Sequence, residues 1–401
     1  MEEMWEDFRL IATHLGDDYA KYMGAVVPPI FMNSLHVFPD MNSYLHFDNK
    51  DRSSFSYGRV SNPTVRIVED KIAAMEHGEM ALCFASGMAA ATTAVLSICK
   101  TGSHIICIRS CYGPMRDFLD EYCVPVLGMH VTYVRGDDLS EFEQAIIPET
   151  ALIILESPSS IVFSLQDLEG VARLASRHGI KTYIDNTYCT PIYQNPLDFG
   201  IDFVMHTTSK YMGGHSDLIG GVLISRDKDF MMNKAARMRE FLGGIQGPME
   251  AWLVMRGLRS MEARLPVHEK TAVAVAEFLE RHPLVSKVYY PGIASHPQRA
   301  LAKRQQKGNC GLLSFELKIS PEETARFAEH LKLFKIGVSW GGFESLVSMP
   351  CFNCTDEKAK WLGCTRGIVR IHCGMEGAEH LTADLEQAFE FVCLLYTSRC
   401  V

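Results

Sequence analysis

The stretch His206-Thr207-Thr208-Ser209-Lys210-Tyr211-Met212-Gly213-Gly214-His215-Ser216-Asp217 sets one lysine among hydroxyls and glycines, just after the apolar residues Ile201, Phe203, Val204 and Met205. Partial burial disfavours an ammonium, lowers its pKa and leaves a free amine that attacks aldehydes. Lys210 therefore reads as the residue that holds a cofactor covalently. Thr207 and Ser209 flank it at alternate positions. If strand geometry continues through them, both hydroxyls leave on one side and can donate to phosphate oxygens. Gly213 and Gly214 let the backbone turn away closely.

Upstream, Lys181-Thr182-Tyr183-Ile184-Asp185-Asn186-Thr187 is a β-prone run that ends in an acid. At the carboxyl end of a strand in an open α/β sheet, an acid points into the crevice where ligands bind. If the cofactor is pyridoxal phosphate, Asp185 pairs with its pyridine nitrogen and keeps it protonated, so that the ring can absorb electrons from a substrate. Alone, a lysine or an aspartate is ordinarily a solvated surface residue. The joint pattern overturns that reading.

These residues resemble the Cys/Met-metabolism family of pyridoxal-phosphate enzymes, which contains the cystathionine synthases and lyases. The likeness runs from Gly24-Ala25-Val26-Val27-Pro28-Pro29 to Val369-Arg370-Ile371-His372-Cys373-Gly374-Met375-Glu376. The family's lysine motif, Ser-x-Thr-Lys-Tyr, here reads Thr207-Thr208-Ser209-Lys210-Tyr211, and both substitutions keep a hydroxyl. The resemblance implies an α/β protein of the aminotransferase-like fold type I: a large domain with a mostly parallel sheet and a smaller α+β C-terminal domain. The expected divisions are an arm over 1–56 that packs on a neighbouring subunit, a cofactor domain over 57–245 and a C-terminal domain over 246–401.

The whole composition bounds the rest and points to two domains. With 401 residues and 47% hydrophobic content, the chain can bury an extensive core. A formal charge of −9 without a basic block argues against nucleic acid as a partner. No apolar run reaches membrane-spanning length, and the start Met1-Glu2-Glu3-Met4-Trp5-Glu6-Asp7 is acidic where a secretory signal is basic and then apolar, so a cytoplasmic protein is expected. Thirteen cysteines without regular spacing fit reduced thiols better than a disulfide framework. The one CxxC, Cys351-Phe352-Asn353-Cys354, lacks a second pair at matching spacing, so no metal is expected.

Taken in order, Tyr57-Gly58-Arg59 places a phenol and a guanidinium on one side of an extended segment. The resemblance implies that both reach across a dimer to the other subunit's cofactor phosphate, within a homotetramer of shared active sites. A helix from about Thr64 stops at Gly78, the run Ala81 to Ala85 reads as a buried strand, and a helix covers Ala89 to Cys99. Between them Gly87 and Met88 lie where a small-residue turn and a helix start aim amides at a phosphate, the position the family uses for its cofactor. After the strand His104 to Ile108, the resemblance stacks Tyr112 on the cofactor ring, its phenol a proton carrier. Strand and helix patterns alternate to Ser225, which indicates a mostly parallel sheet. Beyond it come a helix around 251–259, strands over Val285 to Tyr290 and Leu312 to Leu317, and a closing helix near Leu381 to Leu394. Arg370 matches the family's binder of the substrate α-carboxylate, with Ser339 and Trp340 beside it in the loop Ser339-Trp340-Gly341-Gly342-Phe343-Glu344-Ser345.

Three local departures bear on the reaction. Ser160 replaces the asparagine usual beside the cofactor, Trp340 stands in a loop that resembles the bacterial cystathionine β-lyase version, and position 114 is proline where methionine γ-lyases carry cysteine. On that ground the expected reaction is β-elimination of L-cystathionine to homocysteine, pyruvate and ammonia. The alternatives are a cystathionine γ-synthase or γ-lyase, a broad cysteine desulfhydrase, or a protein of this fold that binds without turnover.

Overall fold

The computed structural model describes residues 7–48 and 50–398. Residues 1–6 of the acidic start and Asn49 of the polar segment lie outside the described residues.

The larger sheet has seven strands: β1 Met80–Phe84, β2 His104–Ile108, β3 His130–Val134, β4 Thr150–Glu156, β5 Lys181–Asp185, β6 Phe203–His206 and β7 Gly221–Ser225. Their order is β1-β7-β6-β5-β4-β2-β3, with β7 antiparallel to both neighbours and every other pair parallel. Strands β1, β2 and β7 are buried at every position. Their unbroken apolar runs have this cause, since helices cover a parallel sheet on both faces. From β2 the chain steps outward to β3 and then returns to β4, β5 and β6 on the other side. The reversal opens a crevice at the carboxyl ends of β2 and β4, where such sheets take their ligands.

The helix Pro63–Met75 starts where the Asn62 side chain accepts from the amides of Thr64 and Val65 and Pro63 occupies the first turn. Its end differs from expectation: His77, not Gly78, takes the left-handed conformation (φ 58°). At Gly78 a side chain would strike Ile224 of β7, so closeness to the sheet fixes that glycine.

The smaller sheet contains β8 Val285–Tyr289, β9 Leu312–Leu317, β10 Lys335–Ile336, β11 Leu346–Ser348 and β12 Val369–His372, in the order β10-β11-β12-β9-β8. Only β10 and β11 are parallel. The closing helix, Ala378–Ser398, lies against the 34-residue helix Pro248–Arg281. The sequence reading covers only a segment around 251–259 of this long helix, which continues through Pro266. A proline removes one backbone bond and kinks a helix, but burial on both sides carries the helix past it. Ala251, Val254, Leu258 and Leu265 join the core under the large sheet, while Ala272, Val275, Ala276 and Leu279 join the core under the small one.

Candidate active site

Strand β6 ends at His206, and residues 208–213 form a turn. The alternation expected of Thr207 and Ser209 therefore fails, because the strand geometry it needs stops one residue too early. Ser209 Oγ donates to the Gly220 carbonyl (3.3 Å) and accepts the Gly220 amide (3.0 Å), which closes the turn. Thr207 instead faces the start of the helix Gly87–Ile98: a Cβ on Gly87 would overlap the Thr207 hydroxyl. Ser86 caps that helix by accepting from the Ala89 amide, and Gly87 and Met88 hold its first two positions. First-turn amides lack intrahelical acceptors, so this cradle offers donors to an anion.

Lys210 projects from the turn toward the second sheet, where its Nζ donates to Ser339 Oγ and lies 5.4 Å from the Trp340 ring. Burial, then the charge of Arg370, lowers the lysine to about 8, against the pull of Asp185. The amine is thus substantially free at mildly alkaline pH. Ser339, expected to face substrate, is spent on the lysine in this arrangement.

Asp185 ends β5, with the Thr187 amide (2.9 Å) and hydroxyl both donating to Oδ1. Thr187 in turn accepts the Thr207 amide at 2.8 Å, which ties the acid to the lysine turn. Burial raises the Asp185 carboxyl, while the two Thr187 bonds oppose that rise. A cation beside the acid would relieve this cost, and the pyridinium of the implied cofactor is such a group. The cradle at Gly87, the depressed lysine and the buried acid together fit pyridoxal phosphate.

Tyr112 caps the helix Gly113–Phe118 at the crevice, its ring half exposed. Burial and the nearby carboxyl of Asp185 raise its phenol, so it holds its proton at neutral pH. Arg370 lies on β12 between Ser314 of β9 and Ser348 of β11. Desolvation lowers its pKa, opposed by the charge of Glu156, and among the described residues no hydrogen bond or ion pair engages its guanidinium. A half-buried guanidinium whose fork no protein group takes up is open to an anion from outside the chain. Tyr57 and Arg59 are not brought to Lys210: Tyr57 is half exposed and bridges to Leu35, and Arg59 donates to the Glu240 carbonyl at 3.2 Å.

The sequence reading missed three contributors. Thr187 links acid and lysine turn. Glu156, quoted only as part of a loop motif, is buried in the crevice and accepts the Tyr112 amide at 2.6 Å. His372 accepts the Gly341 amide on Nε2 (3.1 Å) and donates from Nδ1 to the Glu344 carbonyl (3.0 Å), which fixes its tautomer. Burial, then His268, drives His372 down to about 3, so it stays neutral. Its place two residues beyond Arg370 was the signal: strand alternation puts both side chains on one face of β12, where the His372 ring lies 5.8 Å from that of Tyr211. The CxxC of the sequence has a third neighbour, Cys364, whose sulfur lies 3.6 Å from that of Cys351.

Gly341 packs directly on the backbone of the lysine turn. Its φ is +88°, and a Cβ there would sit 2.8 Å from the Tyr211 nitrogen and 3.0 Å from the Lys210 carbonyl carbon. Gly341→Ala is expected to cost about 1–3 kcal/mol of stability and to displace the lysine. Urea unfolding and cofactor content after dialysis measure the two effects; normal values for both would show that the loop has slack.

Comparison with known proteins places this geometry. The sequence matches the profile of the Cys/Met metabolism PLP-dependent enzyme family over residues 10–390. It is 34% identical over 387 residues to the L-methionine gamma-lyase of Pseudomonas putida, an alignment that covers 96% of this chain and 97% of that one. With the cystathionine gamma-lyase of Bacillus subtilis it shares 36% identity over 371 residues, 92% of this chain and 95% of the relative. The crystal structure of metB from Corynebacterium glutamicum superposes with a TM-score of 0.90 at 33% identity, covering 96% and 98% of the two chains. With matches along nearly its whole length, the chain belongs to the Cys/Met-metabolism family of pyridoxal-phosphate-dependent enzymes.

Proposed function

We propose that the protein cleaves a carbon–sulfur bond at the γ-carbon of a sulfur-containing amino acid, L-cystathionine or L-methionine. The observation that carries this reading is the partnerless Arg370 guanidinium, turned to the same crevice as Lys210 and Asp185. The sequence alone favoured β-elimination; the relatives are both γ-lyases, and their names support the γ-acting alternative better.

Bound pyridoxal phosphate would supply an electron sink for the carbon next to the substrate amine. The Gly87 and Met88 amides and the Thr207 hydroxyl would hold its phosphate, and Asp185 its ring nitrogen; Ser209, expected to join them, is engaged by Gly220 instead. Arg370 clamps the substrate carboxylate with its fork, which fixes the α-proton toward Lys210. Lys210, aimed by Ser339, takes that proton as a free amine and can carry a second one from the β-carbon, the step γ-chemistry adds. Tyr112, its phenol protonated, would donate to the departing sulfur. Tyr57 and Arg59 would complete the phosphate site of a second copy in a cytoplasmic homotetramer.

β-Elimination of L-cystathionine remains the second reading. It is favoured by Ser160, whose hydroxyl bonds to Glu156 at 2.5 Å, and by the indole of Trp340 beside the lysine. Incubating the loaded enzyme with L-cystathionine and identifying both products decides the matter. Oxobutyrate with cysteine supports γ-cleavage, whereas pyruvate with homocysteine replaces it with the β-lyase. No keto acid from either L-cystathionine or L-methionine would overturn the lyase reading in favour of a synthase or a protein without turnover.

A further inference from the structure

Glu156 closes β4 in parallel register with Asp185 on β5, so two acids project from one level of adjacent strands about 4.8 Å apart. Its side chain joins two loops: Oε2 accepts the Tyr112 amide at 2.6 Å and Oε1 accepts the Ser160 hydroxyl at 2.5 Å. The titratable and charged groups around it are Asp185 and Tyr183 from β5, Cys107 from β2, Tyr112 and Arg116 at the helix Gly113–Phe118, and Arg370 from β12. Arg116 already donates to the carbonyls of Arg109 and Cys111. Arg370 alone among these cations has no partner of its own.

Two neighbouring carboxyls do not both ionise readily. Asp185 has two donors from Thr187 and the attraction of His206 and Lys210, so it ionises first. Glu156 keeps the proton: burial, then Asp185, pushes it up to about 8.

We propose that Glu156 is a positioning residue which, while protonated, steadies Tyr112 and leaves Arg370 to the substrate carboxylate, and which, once ionised, competes for that guanidinium. The inference rests on the reading of Arg370 as the carboxylate binder. Alkaline pH then weakens substrate capture through a group that touches neither the cofactor nor the reacting atoms.

The test is the affinity of the cofactor-loaded enzyme for glycine, which carries the amine and carboxylate but no leaving group, so turnover is not needed. Binding is read from cofactor absorbance between about pH 6.5 and about 9.5. Relative to Glu156→Gln, which keeps an acceptor for Tyr112, the wild type is expected to lose about tenfold in affinity from pH 8 to 9.5 as the competent fraction falls. The same alkaline loss in Glu156→Gln overturns the proposal. A thermal readout runs beside it. An acid whose folded pKa is raised makes stability fall as pH rises from its unfolded value of about 4.3 to its folded one. Melting of Glu156→Gln should therefore fall less between pH 5 and about 8 than that of the wild type.

If Glu156→Gln does not fold, Ser160→Ala decides. It removes a donor that favours the ionised carboxyl, so the loss of affinity should move to higher pH; an unmoved loss overturns the proposal. Arg370→Lys separates the two readings. If it binds glycine as tightly as the wild type, the carboxylate role itself has failed. If it binds weakly while Glu156→Gln keeps the alkaline loss, only the present inference fails.

Discussion

Lys210→Ala is expected to lose turnover by at least about 10⁴-fold, because the proposed function makes the lysine both the covalent anchor and the base for the substrate's α-proton. Borohydride should fix cofactor to the wild type and no longer to the variant. The geometry gives a second, graded form of this result. With Lys210 lowered to about 8, the cofactor-free protein should capture pyridoxal phosphate faster as pH rises through that value, well below an ordinary lysine. Unchanged turnover in Lys210→Ala would remove the lysine from the mechanism. A capture rate that climbs only near pH 10 would show that the site does not desolvate the amine.

Glu69→Gln is expected to cost about 3–5 kcal/mol of folding stability, the scale for breaking one side of a buried ion pair. Glu69 is 2% exposed beneath β1. Its Oε1 takes Arg239 at 2.8 Å and the Cys83 amide at 3.0 Å, and its Oε2 lies 3.3 Å from Arg66 and 3.6 Å from Arg52. Burial alone would raise this carboxyl, but Arg239, Arg52 and Arg66 hold it below the ordinary glutamate value. The sign follows: a depressed acid stabilises the fold above its unfolded pKa, and that stability is lost as pH falls through the folded value. The gap in urea midpoint between wild type and variant should thus narrow as pH falls below the ordinary glutamate range. A variant as stable as the wild type at neutral pH would mean that the three arginines find water instead.

Much of the site was legible because its chemistry is local. Lys210 follows an apolar strand and Asp185 ends another, and strand ends at one sheet edge converge without help from distant residues. What sequence could not carry was side-chain pairing across loops. Thr187, Ser339 and Glu156 act through partners 20, 129 and 44 residues away in Thr207, Lys210 and Tyr112, separations no periodicity records. Ser209 misled for a related reason: alternation is a property of strands, and the strand had ended at His206. The choice between β and γ chemistry turned on three loop substitutions, whereas the family likeness runs over residues 10–390. Such substitutions act through a few contacts each, which is too little to fix a reaction from one sequence.

The helix Pro248–Arg281 has its first half in one apolar core and its second half in the other. A helix cannot melt at one end of a packed core without exposing that core, so this single rod makes the two halves of the protein depend on each other for cooperativity. Cutting the chain near residue 245 would hand the whole rod to the C-terminal piece and strip the N-terminal piece of Ala251, Val254, Leu258 and Leu265. The piece that contains Lys210 would then expose apolar surface to aggregation. The half that carries Lys210 is in this sense an incomplete folding unit, and its boundary is a matter of chain connectivity more than of autonomy.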